Sequence, residues 1–466
     1  MYVDGQTGVI VRHPLLIPDL RELIRDGELA DLRDYFAEHH PGRVAEMIED
    51  LEDGEGDALF RILPPRNRAE VLSYLEPARQ DRLFEVMPAQ EAAEMLHVMS
   101  HDERADLVTR LDEEVIDPVL PYLAQAERED IRRLTSYEPG TAGAVMTTDY
   151  VTLPPHITVR EAIELLRKEA PDRETIYYSY VVDHKRRLIG FVSLKRLILS
   201  RRSAVIEDIM QRDVIFARVD EDQETVARQI DRYDLLAIPV VDGSDQLVGI
   251  ITHDDAMDIL RQEQTEDILA FGGVSRDAEA NQESYWTGRI VEAVRRRIGW
   301  LLLLFIAGTL TSRVSHYFQG VKLGLKDLAD YVPLMIGTGG NAGSQTVGTI
   351  IRALALGEIQ RSDGWRVLWR EWLTGLLLGI LLGAIGIVYI YTIHRNGPFA
   401  LVIALAILFI CMWSNCVGAM VPILARRFGI DPAVISAPLI STLVDATGLV
   451  IYYTVAMVIL TRLTGG

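Results

Sequence analysis

Five long apolar segments follow one another between residue 297 and the end of the chain. A helix needs roughly 20 apolar residues to cross ~30 Å of hydrocarbon, because each residue adds ~1.5 Å of length. Each segment therefore predicts one transmembrane helix. The five segments are 297–317, 328–356, 369–391, 399–424 and 433–460.

The polar segment before residue 136 follows another pattern, in which a large apolar residue recurs every twelve positions. These residues are Leu51, Leu63, Leu75, Met87, Met99, Leu111 and Leu123. Most of them are followed within two positions by a residue that starts or breaks a helix. One short helix per twelve residues cannot bury enough apolar surface alone, so we expect the helices to stack into a superhelix.

Between residues 144 and 263 the pattern changes to strands alternating with helices, and it occurs twice. The predicted strand Tyr178–Val182 corresponds to Ala237–Val241, and the predicted helix Val159–Glu169 corresponds to 225–233. The order β-α-β-β-α in each copy predicts a tandem pair of related α/β domains.

Charge divides the chain in the same way. Residues 1–297 carry 36 Lys/Arg and 60 Asp/Glu, a net charge of −24, whereas residues 298–466 carry 11 and 7, a net charge of +4. The acidic part argues against a nucleic-acid partner and for bound cations, although a solvated acidic surface explains the composition equally well. The cysteines, Cys411 and Cys416, both lie in one apolar segment, so we expect neither a disulfide framework nor a thiolate metal site.

Positive residues predict the orientation in the membrane. Arginines cluster at alternate connections, at 295–297, 352–370 and 426–427, and such clusters mark cytoplasmic ends. With five crossings and no signal peptide at the start, the N-terminus is expected in the cytoplasm and the C-terminus outside. The amphipathic segment 264–296 reads as a connecting helix at the cytoplasmic face, or as a plain linker.

The last apolar segment carries an acidic residue, Asp445, close to its middle. A carboxylate there costs about 3 kcal/mol on insertion scales, and such residues usually face a bundle interior or a water-filled path. Ser441 and Gly448 lie on the same helical face. The face predicts a cation site in a pore, whereas a neutral Asp445 bonded to a neighbouring helix is the alternative.

The second apolar segment contains four glycines in seven residues, within the stretch from Gly337 to Gln345. Glycines allow the backbone to open or helices to approach closely, and Asn341 adds an amide oxygen. A small-residue packing face is one interpretation. Oxygen ligands beside a carboxylate fit a hard, hydrated cation such as Mg²⁺, and one Asp per chain implies a ring of carboxylates at a two-fold axis.

The repeated α/β segment resembles a tandem pair of CBS domains. The resemblance rests on both copies and on Ile206, Ile209, Met210, Val241, Asp242, Leu247, Gly249 and Asp254. Paired CBS domains commonly bind adenine nucleotides between the copies, so the resemblance implies ATP or another adenine nucleotide as a ligand. Tyr178 and Asp183 are weak candidates for its contacts.

Over essentially its full length the sequence resembles the MgtE family of magnesium channels. The matching stretches are 331–345, 351–358, 431–434 and 443–453, joined to a helical N domain and a CBS pair. The resemblance implies a homodimer in membrane lipid, with a helical N domain (1–136), CBS domains (137–203 and 204–263), a connecting plug helix (264–296) and a five-helix transmembrane pore domain (297–466).

The resemblance also implies site residues. The pore positions are Asp445, Asn341, Gly337 and Ser441. The acids matched to the family's cytosolic Mg²⁺ sensor are Glu70, Asp102, Asp106, Asp220, Asp222, Glu224, Asp255, Asp258, Glu263, Glu266 and Asp267.

The expected function is Mg²⁺ uptake across the plasma (inner) membrane by a channel that closes when cytosolic Mg²⁺ bridges these acids. A secondary-active divalent cation transporter or exchanger is the alternative. An enzyme is not expected, because the membrane half contains no HExxH, GxSxG or paired catalytic His.

Overall fold

A computed structural model describes residues 36, 39–51, 53–169, 175–274, 290–319, 326–355, 357–360, 362–432 and 435–464. The chain divides into two compact units, Met1–Glu263 and Gln264–Gly466. The first holds a helical domain followed by two α/β domains, and the second holds long apolar helices. This is the fold class predicted from the sequence.

The helical domain repeats a short helix every twelve residues. Its helices are α1 (Pro41–Glu49), α2 (Asp53–Ile62), α3 (Pro65–Ser73), α4 (Pro77–Glu85), α5 (Ala89–Val98), α6 (His101–Arg110), α7 (Glu113–Ile116) and α8 (Gln125–Leu134), with a 3₁₀ turn at Leu120–Tyr122.

Each helix packs mainly on neighbours one or two repeats away: α1 contacts α2 and α3, α3 contacts α5, α4 contacts α6, and α6 contacts α8. Six of the seven predicted repeat residues are buried, and Met87 packs partly buried against the same core. Proline at the start of α1, α3 and α4 suits the first turn, where no backbone N–H is needed.

The two α/β domains have the same topology. The first contains β1 (Thr152–Leu153), α9 (Val159–Glu169), β2 (Tyr178–Val182), β3 (Leu188–Ser193) and α10 (Leu194–Leu199). After α11 (Ile206–Ile209), the second contains β4 (Ala217–Arg218), α12 (Gln223–Arg232), β5 (Ala237–Val241), β6 (Leu247–Thr252) and α13 (His253–Phe271).

In each copy the middle strand pairs in parallel with the first and antiparallel with the third. The predicted strands Tyr178–Val182 and Ala237–Val241 are confirmed. A separate apolar cluster that includes Tyr150, Tyr180 and Ile250 joins the two copies.

Helix α13 differs from the predicted connecting helix. It begins at His253, directly after β6, and continues to Phe271, so residues 264–271 are not a separate element. The stretch contains no glycine or proline to interrupt it. The helix stops at Gly272, and Gly273 has φ +75°, a conformation that suits glycine. Residues 275–289 of the predicted segment lie outside the described residues, and 290–296 are not a separate element because they begin the long helix Ile290–Gln319.

The described part of the second unit contains five long helices. These are α14 (Ile290–Gln319), α15 (Val332–Ala355), α16 (Gly364–His394), α17 (Gly397–Arg427) and α18 (Ala437–Thr464), with a 3₁₀ turn at Lys326–Tyr331. Within the described residues, four of them are long and apolar enough to cross a membrane, at Ala293–Phe318, Gly364–His394, Gly397–Arg427 and Ala437–Leu460.

Helix α15, the second predicted span, has 24 residues and carries the glycine-rich stretch, which lowers its hydropathy. It packs on α17 and α18, while α16 packs on α17 and α14 packs on α18. Helix α15 is therefore packed between α17 and α18, which are both long and apolar enough to cross a membrane.

Helices α16 and α17 approach each other through glycines. A Cβ atom on Gly375 would lie 2.8 Å from the carbonyl oxygen of Cys411, and one on Gly379 would lie 2.7 Å from Cα of Leu408. At Gly383 the corresponding distance to the carbonyl oxygen of Ala404 is 3.0 Å. These are backbone atoms that cannot move aside alone, so the glycines set the distance between the helix axes.

Substitution of Gly379 by Val should therefore destabilise the membrane unit, by about 1–3 kcal/mol, because the two backbones must separate. Gly308→Val on α14 is the matched control, since a Cβ there meets nothing within 4 Å. Thermal unfolding of the purified proteins in detergent measures the effect. Equal melting temperatures for the two variants would contradict the packing role.

Candidate functional site

In the membrane unit, Asp445 and Ser441 lie together against a glycine of the neighbouring helix. A Cβ atom on Gly340 of α15 would lie 2.5 Å from Oγ of Ser441 and 3.3 Å from Oδ1 of Asp445. Helix α15 therefore leaves room for both polar side chains only because residue 340 is a glycine. The arrangement brings a carboxylate and a hydroxyl to the same point between α15 and α18.

The Asp445 carboxylate has an unsatisfied oxygen. Its Oδ1 atom is buried, and no hydrogen-bond partner for it is found among the described residues. The sequence also allowed a neutral Asp445 that is hydrogen-bonded to a neighbouring helix. Among the described residues, no such bond is made to Oδ1. A buried carboxylate oxygen without a donor is costly unless a proton or a cation satisfies it.

The other two predicted pore residues lie on a different side of α15. Gly337 and Asn341 are exposed within the protomer, whereas Gly339, Gly340 and Gly343 are buried toward α17 and α18. The stretch from Gly337 to Gln345 therefore has two faces. Gly339, Gly340 and Gly343 pack, as the packing interpretation holds for them, and the exposed amide side chains form a polar strip.

The soluble unit contains an acidic cluster between the helical domain and the second α/β domain. It comprises Asp102 and Glu103 from the first turn of α6, Asp106 one turn further along, and Asp255 from the first turn of α13. Three of these were predicted as sensor residues. The fold thus brings together side chains about 150 residues apart in sequence.

Burial raises the pKa of Asp102, and the side chains of Ser100 and Thr147 act in the opposite direction. Its Oδ1 atom is buried and lacks a hydrogen-bond partner among the described residues. Burial, together with the charge of Asp102, raises the pKa of Asp255 to about 7, although the Thr252 hydroxyl donates to its carboxylate. The two carboxylates therefore destabilise each other's charged forms.

The remaining two acids extend the cluster along α6. Loss of hydration and the charge of Asp102 raise the pKa of Asp106 to about 6, against the attraction of Arg110. Burial also raises the pKa of Glu103, whose Oε2 accepts a hydrogen bond of 2.7 Å from the Ser73 hydroxyl. The cluster is thus a concentration of like charge that protons or a cation would relieve.

The cluster is not a closed metal cage. Across the described ranges, no three His, Cys, Asp or Glu side chains are arranged to hold a metal ion. A hydrated Mg²⁺ ion needs only one or two carboxylates beside its own water ligands. The carboxylates present fit that kind of ligation and do not fit a dry, fully protein-made site.

The other predicted sensor acids lie apart from this cluster. Asp222 accepts a hydrogen bond of 2.9 Å from the Thr225 backbone as the N-cap of α12, and Glu263 accepts one of 2.7 Å from Gln223. Glu224 pairs with Arg228, and Asp258 pairs with Arg261. Glu70 and Asp220 are exposed in the first unit, and Glu266 and Asp267 are half-buried on α13 in the second.

The two nucleotide candidates have structural roles. The Tyr178 ring packs edge-on against Phe191, with centroids 5.3 Å apart. Asp183 accepts hydrogen bonds of 2.8–2.9 Å from the Lys185 and Arg187 backbones and from Nε of Arg187, and these lower its pKa to about 2. Asp242 accepts equivalent backbone bonds in the second copy. Asp183 therefore shapes the β2–β3 turn, and Asp242 shapes the β5–β6 turn.

Sequence reasoning missed two polar groups. Glu103 is flanked by predicted ligands in the same stretch, and its position on α6 could have identified it. Glu371 lies at the start of the predicted third span, and its Oε2 accepts a 3.3 Å hydrogen bond from the buried Asn415. An acid at the end of a span is a weaker signal than Asp445, which lies close to the middle of its span.

Three protein-family models match successive parts of the chain. The MgtE intracellular N domain matches residues 39–140, the CBS domain matches residues 142–202 and 206–262, and MgtE, described as a divalent cation transporter, matches residues 332–455. Together they cover the helical domain, both α/β domains and four of the five long helices.

Known proteins resemble the chain over nearly its full length. It is 38% identical to the magnesium transporter MgtE of Thermus thermophilus, over 96% of this chain and 98% of the relative. It is 30% identical to the magnesium transporter MgtE of Bacillus subtilis, over 93% and 95%.

Two solved structures match the soluble part. The chain is similar to the soluble part of a magnesium transporter, with 34% identity and a TM-score of 0.50 over 53% of this chain and 97% of that one. It is also similar to the cytosolic domain of the Mg²⁺ channel MgtE in complex with ATP, with 36% identity and a TM-score of 0.50 over 52% of this chain and all of that one.

The raised pKa values of the cluster predict a pH dependence of stability. A carboxyl group whose folded-state pKa lies above its unfolded value stabilises the fold when protonated, and this contribution is lost as pH rises. In Mg²⁺-free buffer the free energy of unfolding of residues 1–263 should fall from about pH 4 to pH 7, by an amount on the order of 1–3 kcal/mol.

Chemical denaturation at a series of pH values measures this. Asp255→Asn should flatten the profile between pH 5 and 7, whereas Asp258→Asn, at an exposed surface pair, should leave it unchanged. A native profile that is flat or rises with pH across this window would contradict the assignment.

Proposed function

Because the chain belongs to the MgtE family of magnesium transporters, we propose that it forms a Mg²⁺-selective channel that takes up Mg²⁺ across the plasma membrane. The family is one of transporters and channels rather than enzymes. The N-terminus and the soluble unit lie in the cytoplasm, and the C-terminus lies outside, as the arginine clusters favour.

The buried Asp445 carboxylate carries this proposal. Its Oδ1 atom lies beside Gly340 and Ser441 without a hydrogen-bond donor among the described residues. Mg²⁺ keeps most of its water and needs few protein ligands, so one carboxylate from each of two chains suits a pore on a two-fold axis. In the homodimer, the exposed strip with Gly337 and Asn341 lines the same path and offers its amide and backbone oxygens to the hydrated ion.

The acidic cluster is the proposed sensor. Without a cation, Asp102 and Asp255 repel each other across the contact between the helical domain and the second CBS domain. Cytosolic Mg²⁺ neutralises this repulsion, draws α6 and α13 together and shifts the population toward the closed channel.

The remaining sensor acids belong to the same closed state, in which they bind the cytosolic Mg²⁺. They are Glu70, Asp220, Asp222, Glu224, Asp258, Glu263, Glu266 and Asp267. The net charge of −24 on the cytosolic part opposes closure and makes it dependent on divalent cations.

An adenine nucleotide is the proposed second ligand. The support is the similarity to the ATP complex of an MgtE cytosolic domain and the match of both copies to CBS domains. Tyr178 presents an aromatic face near the junction of the copies. Asp183 contributes to nucleotide binding indirectly, because it stabilises the β2–β3 turn.

Current recordings from excised membrane patches test the channel. The native chain should give unitary Mg²⁺ currents that close as cytosolic Mg²⁺ rises from near zero to several times ~1 mM, the range for weak carboxylate sites. Asp445→Asn should abolish the current, whereas Glu358→Gln, at an exposed connection between α15 and α16, should preserve it.

Unchanged currents in Asp445→Asn would remove this residue from the pore. Mg²⁺ flux without unitary currents would favour the secondary-active transporter instead.

A further inference from the structure

The start of α16 carries tryptophan and arginine side chains in two neighbouring strips. Trp365, Trp369 and Trp372 are spaced by four and three residues, so they lie on one side of the helix. The indoles of Trp369 and Trp372 stack, with ring centroids 5.1 Å apart and an angle of 10° between the ring planes. Arg366 and Arg370 form the second strip, one residue further along the chain. Aromatic and cationic side chains therefore meet at one end of this membrane span.

An apolar strip continues the arginine side of the helix. Leu373, Leu377 and Ile380 follow Arg366 by seven, eleven and fourteen residues, which is the spacing of one face at 3.6 residues per turn. All three side chains are exposed, Leu377 at 61%. This side of α16 thus presents two guanidinium groups next to an apolar strip about 15 Å long. We call the two arginines, the neighbouring tryptophans and this strip the outer face of α16.

The outer face is open within the protomer. Helix α16 packs on α17 through Gly375 and Gly379. Gly375 follows Arg366 by nine residues, which at about 100° per residue puts it on the opposite side of the helix. Among the helices that the structure describes, α17 is the main packing partner of α16. The outer face therefore points away from the helix bundle of its own chain.

The charge of the two arginines remains available at this face. Arg366 lies 3.5 Å from Oδ1 of Asp363, but the arginine side chain is 87% exposed, and such pairs contribute little. Glu371, the acid next to Arg370, is directed toward α17, where its Oε2 accepts a hydrogen bond from Asn415. Arg370 itself is exposed. The face can therefore receive an anion.

The outer face has the chemistry that binds one phospholipid molecule. Guanidinium groups donate paired hydrogen bonds to phosphate oxygens, and tryptophan favours the level of the lipid head groups. The leucines suit an acyl chain. An aromatic belt alone would need the tryptophans, but it would not align two arginines with an apolar strip.

We propose that the outer face of α16 binds an anionic phospholipid of the cytoplasmic leaflet. The phosphate lies at Arg366 and Arg370, and an acyl chain lies along Leu373 and Leu377. A zwitterionic lipid binds more weakly, because the arginines repel its cationic group. The choice of leaflet rests on the proposed orientation, whereas the site itself needs only that α16 crosses the membrane.

Native mass spectrometry of the full chain in detergent counts the bound lipids. The titration uses dioleoyl phosphatidylglycerol, with dioleoyl phosphatidylcholine as the zwitterionic reference. Arg366→Gln/Arg370→Gln should bind the first phosphatidylglycerol about 25-fold more weakly than the native chain, because each arginine near an anionic lipid contributes a factor of about five. Phosphatidylcholine should bind equally to both proteins.

Arg295→Gln/Arg297→Gln is the matched control. It removes two exposed arginines near the start of α14, which are two residues apart and so do not share a helical face. This variant should keep the affinity for phosphatidylglycerol. Equal losses in the two double variants would indicate a general attraction to basic helix ends and would overturn the site, as would an unchanged affinity in Arg366→Gln/Arg370→Gln.

Quenching of tryptophan fluorescence locates the lipid and does not depend on the arginine variants. Phosphatidylglycerol brominated on its acyl chains should quench the native chain more than brominated phosphatidylcholine does. The difference should fall by at least half in Trp365→Phe/Trp369→Phe and persist in Trp413→Phe, which removes an exposed tryptophan on α17. A difference that survives in the first variant would place the lipid elsewhere and overturn the proposal.

The mass spectra also test a second copy of the chain as the occupant of the outer face. In that case Arg366→Gln/Arg370→Gln would convert dimers to monomers and leave the number of bound lipids unchanged. That result would overturn the lipid site. None of these measurements uses channel activity, so a failure of the proposed channel and a failure of the lipid site are distinguishable.

Discussion

The removal of carboxylates from water is the constraint on which both candidate sites depend. Among the residues that the structure describes, Asp445 has a buried oxygen without a hydrogen-bond partner in the membrane unit, and Asp102 has one in the soluble unit. A carboxylate in such surroundings must be neutralised by a proton or a cation. The two sites differ in what holds them. Asp445 lies in a single small space between two helices, whereas Asp102 lies at a contact between domains.

Small residues and repeats supply the geometry around these acids. Gly340 leaves the space that Ser441 and Asp445 occupy, and the glycines of α16 allow α17 to pack closely behind it. In the soluble unit, the twelve-residue repeat places α6 where its first turn meets the CBS pair.

Much of this could be predicted from the sequence. The twelve-residue recurrence of Leu63 and its equivalents reports the buried side of each helix, and the strands 178–182 and 237–241 follow from two similar apolar runs. The two faces of the stretch around Asn341 were harder to see, because glycines that pack and exposed amides share one segment. The continuation of α13 was missed because a charge pattern, not a helix breaker, suggested its division. Contacts such as His101 with Asp149 arise only from tertiary packing, which no local pattern contains.

The most direct test is the location of a divalent cation in crystals of residues 1–263, with Mn²⁺ in place of Mg²⁺ and its anomalous scattering as the readout. We expect a peak between α6 and α13, about 2 Å from a carboxylate oxygen of Asp102 or Asp255 if ligation is direct, or ~4 Å if one water intervenes. Excess Mg²⁺ should remove the peak. An empty cluster at Mn²⁺ concentrations that close the channel would contradict the assignment of these carboxylates as the sensor.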